Sequence, residues 1–284
     1  MVARPLRRLS PGWILVAPFL ALVLTLFLGP IINVLWLSIT DPEPGLGNYA
    51  ALFAEESSLA RIIWTTLRIC ILTTVISVLL GYSIAYAMVH VRDSSRSRML
   101  ALLLVSFWIS VLVRTFSWLM LLGRNGLVNN SLEAVGLISQ PIEFMRNELG
   151  VLIGMVHYMV PYAVLPLLAS MQVIDTRVLS ASRSLGATGG QTFWRIYLPL
   201  TKPGLIAAAL LVFIISLGFY VTPAILGGGK VLMVAEYISV QLLVTLRWGT
   251  AAMLAALMLA GVLALLFVMS RFMKLSTIFG GART

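Results

Sequence analysis

Residues 180–200 read SASRSLGATGGQTFWRIYLPL and lie between two long apolar stretches of the chain. The segment is polar, carries Arg183 and Arg195, and is interrupted by three glycines. It is too polar to cross a bilayer. Its apolar residues nevertheless recur at roughly helical intervals, which a disordered connector would not require. We therefore interpret it as an amphipathic structure with a role of its own.

Local signals divide this region into two short helical pieces. The first is predicted near 176–185 and ends at Gly186, because glycine accepts the left-handed conformation that closes a helix. The second is predicted near 190–197 and ends at Pro199, and Pro203 then suits the first turn of the next apolar helix. Two roles fit this pattern equally well. The helices dock into a groove on a partner protein, or they lie among lipid headgroups, held by arginine and tryptophan.

The composition places the segment in a membrane protein. The chain has 284 residues, of which 60% are hydrophobic and 11% charged, and its mean hydropathy is +1.00. A soluble fold could not bury that much apolar surface. The formal net charge of +10 is explained by topology rather than by nucleic acid, because basic residues hold loops on the cytoplasmic side. The single cysteine, Cys70, excludes an internal disulfide.

Six apolar stretches approach or exceed the roughly 20 helical residues that cross a hydrocarbon core of about 30 Å. They are residues 13–39, 64–90, 99–122, 149–171, 204–226 and 250–272. None of them contains an aspartate or a glutamate. The first run is too long for a signal peptide, so we interpret it as a retained span. The predicted fold is an all-α integral membrane protein with six transmembrane helices.

The basic residues gather on one side of the predicted bilayer, and most of the acids lie on the other. The basic set comprises Arg4, Arg7, Arg8, Arg92, Arg96, Arg98, Arg177, Arg183, Arg195, Lys202, Arg271, Lys274 and Arg283. Both termini and the 172–203 loop are therefore predicted to face the cytoplasm. Residues 1–63 form an N-terminal tail, the first span and a periplasmic loop; 64–272 form a five-helix core; 273–284 form a cytoplasmic tail.

The loop also resembles a known family. Gly186, Ile196, Leu198 and Pro199 match the G-x9-I-x-L-P core of the "EAA" loop. That loop marks the permease subunits of binding-protein-dependent ATP-binding-cassette importers, and here it precedes the penultimate predicted span. Further stretches resemble the spermidine/putrescine-type permeases, so that the likeness covers about 64–272. They are FWISVLVRTF (107–116), YMVPYAVLPL (158–167), ASRSLGA (181–187), LPLTKPG (198–204) and GFYVTPAILGGGK (218–230).

The resemblance implies a subunit of a type I importer in the bacterial inner membrane. Two permease subunits, the second different from this one, form the pore; two cytoplasmic ATPases drive it, and a periplasmic protein delivers the solute. The chain is then no enzyme and binds no cofactor, because ATP and Mg²⁺ belong to the ATPases. The residues implied in coupling are Ser180, Ala181, Ser182, Arg183, Leu185, Gly186, Ala187, Ile196, Leu198 and Pro199.

This sequence departs from the family at the residues that give the loop its name. Ser180, Ala181 and Ser182 stand where Glu-Ala-Ala is expected, so the loop carboxylate is missing. A surface ion pair is typically worth about 0–1 kcal/mol, so its loss need not abolish assembly.

The implied cargo is a polyamine, and an amino-acid-like or other small polar solute is the alternative. A self-sufficient secondary transporter is a third hypothesis, although such carriers usually need an ionisable site within the membrane. Polyamines call for aromatic faces and carboxylates. The candidate path residues are Trp108, Arg114, Trp118, Tyr158, Tyr162, Phe219, Tyr220 and Glu236, the last near the outer mouth.

Arg114 lies in the middle of the third predicted span, where a charge is costly and usually faces the protein interior. It is either a residue of the gate or path, or a structural pair to a partner chain. Because a cation repels polyamines, we do not expect it to contact the amines of the cargo directly. Pro161, Pro166 and Pro223 are predicted to kink the fourth and fifth spans and so to free carbonyl groups.

Catalytic and metal motifs are lacking in the sequence. GGGKV (227–231) fails as a phosphate loop, because Ala224 replaces the first glycine and Val231 follows the lysine; it is interpreted as a turn. His90 and His157 are too few for a metal site. The outer loop 123–148 is interpreted as an amphipathic helix that closes the cavity or touches the binding protein; the alternative is a membrane-surface segment.

Overall fold

The computed structural model of the chain describes residues 11–50 and 58–272. Within these ranges all regular structure is helical. In chain order the helices are α1 Pro11–Thr40, α2 Gly47–Ala50, α3 Ser58–His90, α4 Asp93–Trp108, α5 Val111–Leu122, α6 Leu127–Ala134, α7 Glu148–Gln172, α8 Thr176–Ser184, α9 Gly189–Thr192, a π turn Phe193–Tyr197, α10 Leu198–Leu217, α11 Val221–Gly227, α12 Val234–Leu243 and α13 Trp248–Phe272. Five of them are long and apolar enough to cross a membrane, or six if one bent pair counts as a span.

The described residues divide into two units, and each is considered by itself. The smaller unit combines residues 11–50 with 238–260. In it, the backbone N–H of Gly249 donates to the Asp41 carboxylate over 2.6 Å, and the Asn48 amide donates to the Asp41 carbonyl over 2.7 Å. The first bond joins the residue after α1 to the first turn of α13, and the second joins the same residue to α2.

The larger unit combines residues 58–237 with 261–272 and contains a three-helix core of α3, α7 and α10. Its buried centre consists mainly of methionine and branched aliphatic side chains, among them Met88, Met159, Leu167, Met171 and Val212. Gly81 lets α3 and α7 approach closely, since a Cβ at this position would lie 2.7 Å from that of Ala163. Small residues at helix contacts are typical of membrane interiors, where dispersion must replace the hydrophobic effect.

The third predicted span is not one helix. Residues 99–122 were expected to run straight, but α4 ends at Trp108 and the next helical segment begins at Val111 with a bend of 94°. Ile109 and Ser110 adopt extended backbone conformations, with ψ of 125° and 138°. Neither glycine nor proline occurs at the break, so no helix-breaking residue in the sequence indicated it. The freed carbonyl groups are instead bonded by a side chain, as described below.

The fifth predicted span, 204–226, is also wrong in its bounds. α10 ends at Leu217, and after Gly218 the chain enters the separate short helix α11. Pro223 therefore lies in the first turn of α11 instead of kinking a long helix. At the other end, Pro199 does not terminate a helix. It lies at the start of α10, because the preceding π turn lets the N–H of Leu198 bond to the carbonyl of Phe193.

Other predicted elements agree more closely with the structure. α1, α3, α7 and α13 match the first, second, fourth and sixth predicted spans, although α3 begins six residues earlier at Ser58. Pro161 and Pro166 lie inside the uninterrupted helix α7. In the outer loop 123–148 the predicted outer helix is present as α6, which covers only Leu127–Ala134, and Glu148 already begins α7.

Candidate functional site

The 172–203 segment folds into two helices joined by a tight turn. α8 begins after Asp175, whose carboxylate accepts from the N–H of Arg177 over 2.8 Å, and it ends at Ser184, with Leu185 as its C-cap. Gly186 follows with φ of +86°, and the N–H of Ala187 bonds back to the Ser182 carbonyl over 3.1 Å. The short helix near 176–185 and its glycine termination are thus confirmed.

The two helices of this segment are joined by a buried hydrogen bond. The hydroxyls of Ser182 and Thr192 lie 2.9 Å apart, and both residues are buried. α9 starts with a capping box between Thr188 and Gln191, which satisfies two backbone donors that the helix start leaves free. Ser182 is one of the three residues that stand in place of Glu-Ala-Ala. Its hydroxyl therefore has a structural role within the chain.

Aromatic rings attach the segment to the three-helix core. The Phe193 ring meets the Tyr86 ring of α3 edge to face at 5.7 Å, and Tyr197 meets Tyr86 at 5.4 Å. Such pairs contribute about 0.5–1.5 kcal/mol beyond the burial of their area. Because the π turn also runs directly into α10, the segment is joined to two of the core helices, α3 and α10.

One face of the segment presents large apolar side chains to the surroundings. The Leu185 side chain is 89% exposed and the Trp194 side chain 68% exposed. Ser180, Ala181, Arg183, Gly186 and Pro199 are also exposed, while Ile196, Leu198 and Ala187 are half-buried. We call α8, α9 and the π turn together (residues 176–197) the hairpin. Exposed leucine and tryptophan on such a folded element are typical of a surface that a partner or a lipid covers.

The structure brings together part of the predicted path. The Tyr158 ring lies 4.6 Å from that of Phe219 and 5.7 Å from that of Tyr162. The Arg114 guanidinium carbon lies 4.9 Å from the centre of the Tyr158 ring. Phe107, which the sequence did not single out, continues the row at 4.8 Å from Tyr162.

The remaining path candidates lie apart from this group of rings. Trp118 instead donates its indole N–H to Nδ1 of His157 over 3.1 Å. The Trp108 side chain is 89% exposed and Tyr220 is 43% exposed. Whether any of these residues lines a path stays a prediction.

Glu236 was expected near an outer mouth, but it is buried in α12, a helix too short to span. In the part of the chain that the structure describes, its Oε2 atom has no hydrogen-bond partner. Burial raises the pKa of this carboxyl, and a hydrogen bond to the backbone of Met233 opposes the rise only in part. A buried carboxyl of this kind is not a surface anion that attracts cations.

Arg114 bonds to main-chain carbonyls of its own chain. Its side chain is buried, and Nη2 donates to the carbonyl of Ser106 and, over 3.4 Å, to that of Ile109. These are the carbonyl groups that the break between α4 and α5 leaves without helical partners. Neither of the two roles proposed for Arg114 from the sequence is tested by these contacts.

A second charged feature escaped the sequence argument. Arg68 of α3 forms an ion pair with Glu148 at the start of α7. Arg68 lies inside the second predicted span and Glu148 next to the fourth, so a search for charges at span ends could have found the pair. The turn at Gly228 and Gly229 is as interpreted, with φ of +55° and +78°. Within the described ranges, no three histidine, cysteine or acidic side chains gather as metal ligands would.

The described residues thus combine apolar helices of spanning length with a polar helical segment packed on them, as in a membrane-embedded protein. Residues 77–276 match the family model described as binding-protein-dependent transport system inner membrane component. The chain belongs to this family. It is accordingly a transport subunit of the inner membrane and not an enzyme, and the ATPase activity of such a system belongs to other subunits.

Several characterised relatives resemble the chain over most of its length. It is 35% identical over 230 residues to the spermidine/putrescine transport system permease protein PotB of Haemophilus influenzae, with 80% of this chain and 79% of that one covered. Identity to PotB of Escherichia coli is 33% over 224 residues, covering 78% and 81%. The molybdenum transport system permease protein ModB of Azotobacter vinelandii is 29% identical over 174 residues, covering 61% and 75%.

Solved structures agree on the fold. A bacterial ABC transporter involved in the import of the acidic polysaccharide alginate contains a chain that superposes with a TM-score of 0.73 at 21% identity, covering 92% of this chain and 96% of that one. An amino acid ABC transporter gives a TM-score of 0.52 at 20% identity, covering 79% and 94%. The fold is therefore that of importer permeases.

Proposed function

We propose that this chain forms half of the pathway of an ATP-driven polyamine importer, coupled to its ATPases through the 172–203 segment. The observation that carries the coupling role is the folded hairpin, on which Leu185 and Trp194 are exposed. Aromatic rings join it to α3, and its π turn continues directly into α10. A partner that covers Leu185 and Trp194 gains their apolar burial. Movement of the partner then moves core helices and not merely a loop.

The choice of cargo rests on the relatives and on the aromatic row. The PotB proteins named above are spermidine/putrescine permeases. Tyr158, Tyr162 and Phe219 offer ring faces of the kind that bind organic cations. An amino-acid-like or other small polar solute is the alternative cargo, to be decided by the experiment below.

The rest of the assembly is part of the same proposal. Two ATPases bind ATP and Mg²⁺ on one side of the inner membrane, a periplasmic protein delivers the cargo on the other, and a second, different permease completes the pore. Both termini and the 172–203 segment face the cytoplasm, as the distribution of basic residues indicates. The lipid bilayer surrounds α1, on which most described side chains are exposed and apolar.

The test is to purify the tagged chain with its native partners in lipid discs and to measure ATP hydrolysis with the binding protein, empty or loaded with spermidine. Hydrolysis stimulated by the loaded protein supports both the coupling role and the cargo. Hydrolysis that responds to an amino acid but not to spermidine replaces the cargo. If no ATPase co-purifies, and uptake by the chain alone follows an ion gradient, the secondary carrier is the correct class.

A further inference from the structure

Arg114 occupies a pocket whose walls have the chemistry of an organic-cation site. Two main-chain carbonyls, those of Ser106 and Ile109, accept from its Nη2 atom. The ring face of Tyr158 lies beside the guanidinium, 4.9 Å from its carbon to the ring centre. Carbonyl groups of interrupted helices and aromatic faces are the two devices by which membrane proteins hold cations without a carboxylate.

The positive charge of Arg114 has no anionic partner among the described residues. The ion pairs in that part of the chain are Arg68 with Glu148 and Arg96 with Asp93, and neither includes Arg114. Carbonyl dipoles and a ring quadrupole therefore stabilise a buried guanidinium. A pocket that holds one organic cation in this way can hold another of similar size.

The guanidinium fills this pocket but does not satisfy all of its own donors. Nε of Arg114 is buried and has no hydrogen-bond partner in residues 11–50 and 58–272. The free space among Phe107, Tyr158, Pro161, Tyr162 and the guanidinium is only about 10 Å³, which is at most the space that one water needs. A second cation can therefore enter only when the Arg114 side chain leaves. Because Nε lacks a hydrogen bond in the pocket, less free energy is needed to move the Arg114 side chain out of it.

We propose that the pocket formed by the Ser106 and Ile109 carbonyls and the Tyr158 ring is a transit site for an ammonium group of the cargo. In the state described here Arg114 occupies that site as a tethered substitute. When Arg114 withdraws, the ammonium takes the two carbonyls and the ring face; when Arg114 returns, it expels the ammonium. This inference rests on the proposed polyamine cargo, and it assigns Arg114 to competition with the cargo for one site.

The experiment empties the pocket and offers it a free cation. The chain is purified with its partner subunits in lipid discs as wild type, Arg114→Ala and Arg114→Lys. The melting temperature of each complex is measured against ethylguanidinium and against propylammonium, with neutral ethylurea as the matched control. We expect saturable stabilisation of Arg114→Ala by both cations, at least tenfold tighter than by ethylurea. Wild type and Arg114→Lys, whose pocket is occupied, should not respond in this range.

A second pair of variants tests the ring in case Arg114→Ala fails to assemble. Tyr158→Leu removes the aromatic face and Tyr158→Phe keeps it, while Arg114 continues to bond the break. We expect the KM for spermidine uptake to rise at least threefold in Tyr158→Leu, with a smaller change in kcat, and both to be near wild type in Tyr158→Phe.

Three outcomes overturn the inference. The pocket is refuted if an assembled Arg114→Ala complex binds neither cation, or binds ethylurea equally well, while wild type imports spermidine. It is refuted equally if Tyr158→Phe and Tyr158→Leu show the same KM. If Arg114→Ala binds both cations but wild type does not import polyamines, the proposed cargo is wrong, and the polyamine is removed as the occupant of the site.

Discussion

Substitutions at Gly186 distinguish two effects on activity: the backbone strain within the hairpin, and the contact of the hairpin with a partner. Gly186 has φ of +86°, and a Cβ at this position would meet nothing within 4 Å among the described residues. An alanine at this position therefore lowers the stability of the turn only through its backbone conformation, by about 1–2 kcal/mol for an L-residue in the left-handed region. Asparagine tolerates that region better and should lose less. Any additional loss that a larger side chain causes must come from a surface outside the chain.

The expected order of activity follows from the cost of positive φ in the backbone and from the additional cost of placing a larger side chain against a partner. Gly186→Asn should remain closest to wild type, and Gly186→Ala should lose up to about tenfold in cargo-stimulated ATP hydrolysis, since 1.4 kcal/mol is a factor of ten. Gly186→Glu pays the same backbone cost and also buries an unpaired charge if a partner covers this turn. Removing such a charge from water costs several kcal/mol. We expect at least a further tenfold loss, with the chain still inserted in the membrane.

The assay compares stimulated ATP hydrolysis, spermidine uptake and retention of the ATPases on the purified chain. Gly136→Glu is the matched control. Gly136 also has positive φ, +72°, and open space around its Cβ position, but it lies between α6 and α7. If Gly186→Glu is no worse than Gly186→Ala, or if Gly136→Glu uncouples transport as strongly, docking through this turn is refuted.

Three smaller predictions concern single contacts. Ser182→Ala leaves the Thr192 hydroxyl buried without its partner, which should destabilise the hairpin by about 1–2 kcal/mol; faster amide exchange in α8 and α9 is the readout, and restoration by the added change Thr192→Val is the check. The raised pKa of Glu236 means that its contribution to stability is full below the pKa of the unfolded chain and is lost as pH rises through the folded value. Glu236→Gln should therefore raise the melting temperature in alkaline buffer, where the wild-type carboxyl is charged, and flatten the fall in melting temperature as pH rises above the ordinary glutamate pKa. A slope unchanged from wild type contradicts the assignment. Arg68→Ala breaks the half-exposed ion pair with Glu148 and should lower the free energy of unfolding by no more than about 1 kcal/mol. A larger loss in a denaturant titration of the complex would contradict this and show that the pair is important for stability.

The sequence was sufficient where one local signal was decisive. The turn at Gly186 was predicted because a polar, amphipathic run ended at a glycine, and the structure has that glycine at positive φ. It was insufficient where the hydrogen-bond register of the preceding turn overrides a residue's usual preference. Pro199 looked like a helix end, but the π turn before it shifts the hydrogen-bond register, so that the helix continues.

The aromatic candidates show the same division. Their residue type alone gave Trp108 and Tyr158 equal standing as path residues. In the structure the Trp108 side chain is 89% exposed, whereas Tyr158 lies among Arg114, Tyr162 and Phe219. Which rings meet depends on how α5, α7 and the end of α10 pack, and no spacing within one helix encodes that arrangement.

The sequence by itself determined the class of fold, the membrane as its solvent and the position of the hairpin. Those properties follow from the length and helical period of each apolar stretch. Each span must form its own backbone hydrogen bonds in lipid, so these features can be judged one segment at a time. Only the tertiary structure decided that α4 and α5 are separate helices and that Arg114 bonds the carbonyls between them. A buried charge and two free carbonyls are each costly alone. Their mutual satisfaction is a property of the folded arrangement and not of either stretch of sequence.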